Sequence, residues 1–301
     1  MSELLSAVLK LVALFHAKGL LPFPLAALIK DALFSDNGQA VELLHICSRN
    51  DLDTLSEARN LETLMALYDQ MEAFALTQAR CRLGAFFTDN SLLDAHQRAS
   101  HGSSELLLLS AGDGQAGSDA SSLIYGEIEF ASFSEILGIA MTGLQRKAKF
   151  VDLGSGIAKA VLWIALVTRF ERIVGIEINE RLWRRSQEIL DEFHSTLYSS
   201  LFLTPHKWQS RAHIMLLLGS ILHLDSTHDW TDADLVFANS TAFSAGLMER
   251  ITTLSLRMRP GSRFITLAHH LEHPLWKVVY RDRQVMSWGL TTVWIHERTE
   301  F

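Results

Sequence analysis

Ten residues, Phe150-Val-Asp-Leu-Gly-Ser-Gly-Ile-Ala-Lys159, constrain what this chain can fold into more than any other stretch. A β-rich run from Phe150 to Leu153 carries an acid near its end, meets two closely spaced glycines, and gives way to the helix-length segment Lys159–Thr168. That order is strand, tight turn, helix. Glycines at 154 and 156 let the backbone turn sharply and let a ligand approach without interference from a Cβ, while the unpaired N–H groups of the following helix face the same place. Such a unit belongs to an open, mostly parallel sheet with a ligand crevice outside the carboxyl end of the strand.

The second half of the chain repeats the alternation. Strands are expected at Phe150–Leu153, Arg172–Ile178, His213–Leu218, Asp234–Ala238 and Ser262–Leu267, with helices at Lys159–Thr168, Glu180–His194 and Ser244–Met258. Gln284–Trp288 and Thr291–Glu297, flanking Gly289-Leu290, read as an antiparallel hairpin that closes the sheet. The first half differs. Apolar residues there recur at three- and four-residue spacing, clearest in Leu61, Leu64, Leu67, Tyr68 and Met71, which predicts an all-helical layer. Between the halves, Ser110–Ser122 has three glycines, four serines and no large side chain, the composition of a linker. The expected organisation is a helical domain over 1–109, a linker over 110–122 and an α/β domain over 123–301.

Composition narrows the partners. With 301 residues, 48 % of them apolar, the chain can bury a core, and its net charge of −7 argues against coating a nucleic acid by charge alone. Residues 1–120 carry 8 Lys and Arg against 15 Asp and Glu, whereas residues 121–301 carry 19 of each sign. Contact with a polyanion must come from a local patch in the second half. Two cysteines, Cys47 and Cys81, cannot build a disulfide framework, so a reducing, intracellular setting is expected. The apolar run Leu4–Phe34 is interrupted by Lys10, Lys18, Pro22, Pro24 and Lys30, below the roughly 20 continuous residues a bilayer requires. Two core helices fit it better, no membrane contact is expected, no secretory leader is read there, and Glu3 with little arginine makes a mitochondrial transit peptide the weaker alternative.

The glycine loop separates cofactor classes. A dinucleotide fingerprint would need glycine at 159, where this chain has Lys159, and Asp152 would repel a pyrophosphate on the helix N-terminus. An acid there suits a cofactor that carries an ammonium and a sulfonium, S-adenosylmethionine. Glu177, about 20 residues beyond the glycines, stands where a carboxylate accepts both hydroxyls of a ribose. A nicotinamide enzyme and a plain glycine turn without a ligand remain the alternatives. His269-His-Leu-Glu-His273 fits the H-x-x-E-H zinc pattern in letters, but it follows a strand and precedes Pro274, so no metal site is expected.

Tyr125-Gly-Glu-Ile-Glu-Phe130, one strand upstream of the loop, the loop itself, and Phe237-Ala-Asn-Ser-Thr-Ala-Phe243 at the end of the fourth strand occur in a telling order and spacing. Together they resemble the Dot-type histone lysine methyltransferases, the non-SET enzymes that modify histone H3 within its globular core. The likeness spans about residues 120–301, and Ser287-Trp288 followed by Val293-Trp-Ile-His296 is similar to that family's last strand pair. The resemblance implies a class I methyltransferase fold, a mostly parallel seven-stranded sheet, behind the helical N-terminal domain. It also implies S-adenosylmethionine as cofactor, S-adenosylhomocysteine as product, nucleosomal H3 as substrate and the nucleus as location. By the same resemblance Asp152, Gly154, Ser155 and Gly156 hold the methionine end and Glu177 the ribose. Ser220 stands by the adenine, and Tyr125 and Glu127 form a lid. Asn239 sits at the methyl-transfer centre, and Phe243, with Trp288, walls the lysine channel.

Departures from that pattern bear on activity. Ala158 stands where glycine is usual, Ser220 replaces an acid, Thr241 replaces an aromatic, and Val293-Trp294 replaces a tyrosine pair. The long basic extension of larger members is missing, which leaves the patches Arg146, Lys147, Lys149 and Arg257, Arg259, Arg263 as candidates for DNA. A methyltransferase acting on another protein or a small molecule, and a scaffold without activity, stay open beside the histone reading.

Overall fold

The computed structural model describes residues 61–87, 128–144, 147–198, 212–223, 225 and 229–300, with isolated helical positions at 8, 9, 11–13, 15 and 29. Contacts divide the chain into two compact units. One comprises 1–87, 165–169 and 192–210; the other comprises 88–164, 170–191 and 211–301. The linker expected over 110–122 lies outside the described residues, as does Cys47.

In the first unit the stripe beginning at Leu61 forms a helix, α1, over Leu61–Gly84. Tyr68 on α1 meets Phe15 edge-on at 5.5 Å, and Met71, Ala75, Ala79 and Leu83 are buried along the same helix. The spacing of these four, four residues apart, is the helical repeat that the sequence displays. Cys81 is exposed on α1.

The second unit is built on one sheet. Its strands are β1 Lys149–Leu153, β2 Arg172–Glu177, β3 His213–Leu218, β4 Leu235–Ala238, β5 Arg263–Leu267, β6 Trp276–Met286 and β7 Gly289–Arg298. They form a seven-stranded sheet in the order β3-β2-β1-β4-β5-β7-β6. The first five are parallel and β7 runs antiparallel between β5 and β6. Helix α2 Phe130–Met141 precedes β1, and α3 Lys159–Val167, α4 Glu180–Glu192 and α5 Ala245–Ser255 lie between β1 and β2, β2 and β3, and β4 and β5. This is the class I methyltransferase architecture.

Side-chain alternation divides each buried strand between two cores. Phe133 of α2 packs on Phe237 at 4.8 Å, and Phe130 stacks on Trp163 of α3 at 4.6 Å. On the other face Val151, Leu153, Val236 and Ala238 pack with Met248 and Ile251 of α5. Local chemistry begins the helices: Asn179 Oδ1 accepts from the Arg181 and Leu182 amides ahead of α4, and Ser244 Oγ accepts from Leu247 N ahead of α5.

Two expectations need correction. No strand precedes β1 among the described residues; Phe130, Phe133, Ile136, Leu137 and Ala140 bury one stripe and make α2 instead. The hairpin turns at Ser287-Trp288, because Met286 pairs with Gly289, and β6 starts at Trp276. An irregularity between Val278 and Tyr280 shifts the alternation, and the strand lies at the sheet edge with most side chains exposed, so it lacks the period-two signature of a strand.

Candidate active site

Strand order fixes where a ligand can sit. β1 lies between β2 and β4, and the chain leaves β1 toward β2 on one side and reaches β4 only later on the other, which makes the β1–β4 border a topological switch point. Leu153 pairs with Ala238, so the residues that follow them, Gly154 and Asn239, emerge side by side at the same sheet end. The turn after β1 requires its glycines: φ is +81° at Gly154 and +54° at Gly156. Ala158 also adopts a left-handed φ, +69°, at the cost that a Cβ brings to that conformation.

Hydrogen bonds tie the loop to β2. Gly154 N and Ser155 N both donate to Ile176 O, and Gly156 N donates to Glu177 Oε2 at 2.7 Å. Ser155 turns its side chain onto Gly175, where its Oγ stands 2.7 Å from the position a Cβ would take. Glycine at 175 is therefore what admits Ser155. Asn179 N donates to Glu177 Oε1 at 2.7 Å, so each oxygen of this carboxylate holds one backbone donor and retains capacity for another.

Asp152 and Glu177 project from the same sheet face of neighbouring strands, because Asp152 pairs with Gly175 and Glu177 lies two residues further on. They are 3 % and 6 % exposed. Burial, and then the negative charge of Glu177, hold the Asp152 carboxyl well above the usual carboxylate range. Burial also pushes Glu177 up, opposed by backbone donors from Asn179, Gly156 and Ile178. Asp152 Oδ1 is buried with no hydrogen-bond partner among the described residues. A carboxylate left so is an acceptor awaiting a donor, and a cationic one would meet both charges.

The segment after β4 forms the opposite wall. Ser240–Ala242 makes a 3-10 turn, and Ser240 Oγ both donates to Leu267 O at 2.5 Å and accepts from Leu267 N at 3.2 Å. Phe243 N donates to Ser240 O, and the Phe243 ring comes within 3.5 Å of where a Cβ on Gly154 would stand. Asn239 is half-buried and makes no cap hydrogen bond to the turn; its Oδ1 accepts from Thr241 Oγ1 at 2.9 Å. The helix cap is Ser244, so capping does not account for an asparagine at 239.

Other expected residues are less gathered. Tyr125 and Glu127 lie outside the described residues. Ser220 follows β3, half-buried, with Oγ accepting from Leu222 N at 3.2 Å. Trp288 sits in the hairpin turn, 36 % exposed. Two residues that sequence reasoning passed over stand at this sheet end. Ile178, 46 % exposed, and Leu218, 39 % exposed, follow and pair with Glu177 respectively, and leave apolar surface open beside the acid. The signal available was a large apolar side chain directly after a strand-end acid.

Comparison with known proteins gives the chemistry a family. The profile described as "Histone methylation protein DOT1" matches residues 115–288, more than half of the chain. The chain belongs to the DOT1 histone methylation family. No curated protein matches it. Among solved structures, an RNA methyltransferase from Salinibacter ruber in complex with S-adenosyl-L-homocysteine is similar at 16 % identity and a TM-score of 0.40, covering 56 % of this chain and 90 % of that one. A putative RNA methyltransferase from Pyrococcus horikoshii is similar at 13 % identity and 0.41, covering 65 % and 96 %. The N-methyltransferase NodS from Bradyrhizobium japonicum WM9 is similar at 11 % identity and 0.39, covering 56 % and 94 %.

As a DOT1-family member the chain is a histone methyltransferase by descent, and its departures from the pattern have visible consequences. Trp294, in place of a tyrosine, shares a transverse row with Ala238 and Thr266. His270 stacks on its ring at 4.9 Å and Arg281 lies over it at 4.5 Å. Four of the described cations in the candidate DNA patches pair with acids. Arg257 pairs with Asp229, Arg259 with Asp234 and Arg263 with Glu297, while buried Lys149 pairs with Asp232. The reason is position: Lys149 and Arg263 begin their strands, at the sheet end opposite the crevice, where acids of the β3–β4 connection and of β7 meet them. Lys147 is exposed, and Arg146 lies outside the described residues. His269 to His273 form a non-helical loop, and no group of metal-ligating side chains assembles among the described residues. No described helix is long and apolar enough to cross a membrane.

Proposed function

We propose that this chain transfers methyl from S-adenosylmethionine to a lysine in the globular core of histone H3 within nucleosomes, and that it does so in the nucleus through residues 123–301. The observation that carries this reading is the buried Oδ1 of Asp152, without a hydrogen-bond partner among the described residues, at the sheet end where Glu177 ends β2 and the Phe243 ring meets Gly154. The residues fit the cofactor. Asp152 accepts from its ammonium, and Glu177 has spare acceptor capacity for the ribose hydroxyls. Gly154 and Gly156 leave room for its backbone-close approach, and Ile178 and Leu218 offer apolar surface to the adenine. Ser155, with its side chain on Gly175, contributes by shaping the turn, and Ser220 stands near the adenine end. Tyr125 and Glu127 complete the set as lid residues.

S-adenosylmethionine supplies a methyl group on a sulfonium, and no covalent enzyme nucleophile is needed. The demand on the protein is to hold a neutral amine in line. A free lysine has a pKa of about 10.4, so an apolar wall that disfavours the ammonium form assists. Phe243 provides that wall beside Gly154. Asn239 accepts from the amine without adding a charge that would hold the proton in place.

Calorimetric titration with S-adenosylmethionine and S-adenosylhomocysteine, followed by a radiolabel assay on nucleosomes, free H3 and cell extract, tests the proposal. Cofactor binding with label on nucleosomal H3 is expected. Label on another acceptor would keep the chemistry and move the substrate, and absence of binding would mark a scaffold.

A further inference from the structure

We infer that Asn179 is a positioning residue for the cofactor: its side chain pins the turn between β2 and α4, and through that turn its own N–H holds the Glu177 carboxylate in the plane that meets the ribose hydroxyls. The inference rests on the proposed role of Glu177 at the ribose.

A glutamate carboxylate needs such holding. Its terminal torsion is broad and roughly two-fold, so one donor leaves the plane loosely set, whereas a donor on each oxygen fixes it. Gly156 N donates to Oε2 from the glycine loop and Asn179 N donates to Oε1 from the turn, each at 2.7 Å. Burial raises the pKa of Glu177, and of the three backbone donors that oppose it, Asn179, Gly156 and Ile178, Asn179 weighs most. An ionised carboxylate is an acceptor only, which is what a ligand with two hydroxyl donors requires.

Only two residues separate Glu177 from α4, and their side chains differ. Ile178 is 46 % exposed and gives the turn little packing. Asn179 is buried, and its Oδ1 accepts from Arg181 N at 3.0 Å and Leu182 N at 3.3 Å, while its carbonyl accepts from Trp183 N at 2.9 Å. These bonds tie residue 179 to the first turn of α4. The helix is fixed in turn to β3, where Trp183 Nε1 and Gln187 Nε2 both donate to Leu216 O. A continuous path therefore runs from β3 through α4 and the asparagine cap to Glu177 Oε1. Removing the cap leaves the backbone N–H of residue 179 but takes away what keeps it in place.

The test uses the full chain with Asn179→Ala, which removes the cap, and Asn179→Ser, which supplies another capping oxygen. Calorimetric titration compares S-adenosylhomocysteine with its analogue lacking the 2′ and 3′ hydroxyls. The Glu177 carboxyl carbon, assigned by its loss in Glu177→Gln, is followed by NMR as pH is varied. Asn179→Ala should weaken S-adenosylhomocysteine roughly three- to tenfold, the scale of one net hydrogen bond. Affinity for the analogue should change by less than about twofold, the Glu177 resonance should titrate at higher pH, and Asn179→Ser should restore both readouts. A cap that served helix stability alone would lower Tm without separating the two ligands. An equal loss for both ligands, or S-adenosylhomocysteine affinity within about twofold of wild type, overturns the inference. If the wild-type chain binds neither ligand, the proposed function falls, and the resonance still decides the hold: a Glu177 titration unmoved in Asn179→Ala overturns it.

Discussion

Asp152 concentrates the conflict between stability and binding in one carboxyl. Its folded-state pKa is raised, so as pH climbs past the unfolded value near 3.8 the unfolded chain releases its proton first and the native state is progressively disfavoured. Asp152→Asn removes that penalty. The variant should melt above wild type at pH 7 to 8, with the gap closing toward pH 4, and should lose S-adenosylmethionine binding; equal melting at every pH would mean a solvated carboxyl. Ala158 makes a second single-residue case. Replacing it with glycine relieves a left-handed φ of +69° but removes a buried methyl and adds unfolded-state freedom, terms of about 1 kcal/mol each that oppose one another. Ala158→Gly should therefore stay within about 0.5 kcal/mol of wild type, whereas Ala160→Gly, buried in α3, should cost about 1–2 kcal/mol by denaturant unfolding.

Among the elements, the β5–β7 pair is where the parallel sheet turns antiparallel, and His296 joins it to the loop beyond. The imidazole is fully buried, with Nδ1 donating to Phe264 O at 3.1 Å and Nε2 accepting from Leu271 N at 3.1 Å. That arrangement needs the neutral ring. Burial first, with a smaller push from His270, lowers the pKa to about 4, and the Phe264 bond opposes the shift. Between pH 6.5 and 4 the unfolded chain takes up a proton that the native chain does not, so stability falls as pH falls through that window. The full effect is on the order of 3 kcal/mol. Unfolding at pH 7, 5.5 and 4.5 should show that limb in wild type and a shallower one in His296→Gln; parallel slopes would assign acid lability to other groups. Arg263 serves the same junction differently, binding Glu297 of β7 and the Ile139 and Ala140 carbonyls at the end of α2.

For the molecule as a whole, charge is arranged so that the cations at the strand-start end are neutralised locally. Arg257, 56 % exposed and 3.3 Å from Asp229, belongs to that end, away from the crevice. Arg257→Gln should leave nucleosome affinity within about twofold at 0.1 M salt, since an exposed paired charge contributes little beyond a Debye length. A larger loss, by fluorescence titration, would place a docking surface there. The DOT1-family match together with a net charge of −7 means that any affinity for nucleosomes comes from particular contacts rather than the overall field.

Local rules made much of this legible beforehand. The glycine turn, the alternating strands β1 to β5 and the amphipathic helices depend on residues a few positions apart, so period and turn chemistry reveal them. Edge strand β6 escaped because exposure and an irregular register erase alternation, and α2 escaped because its apolar stripe adjoins a segment read as strand. What the sequence by itself determined is therefore the alternation of strand and helix and the glycine turn that follows β1. Tertiary structure alone decided that Gly154 and Asn239 become neighbours through the β1–β4 register, that Asp152 Oδ1 has no partner among the described residues, that Thr241 bonds Asn239, and that three arginines are paired. Contact between residues far apart in the chain is a property of sheet order and burial, and neither is written in any single window of residues.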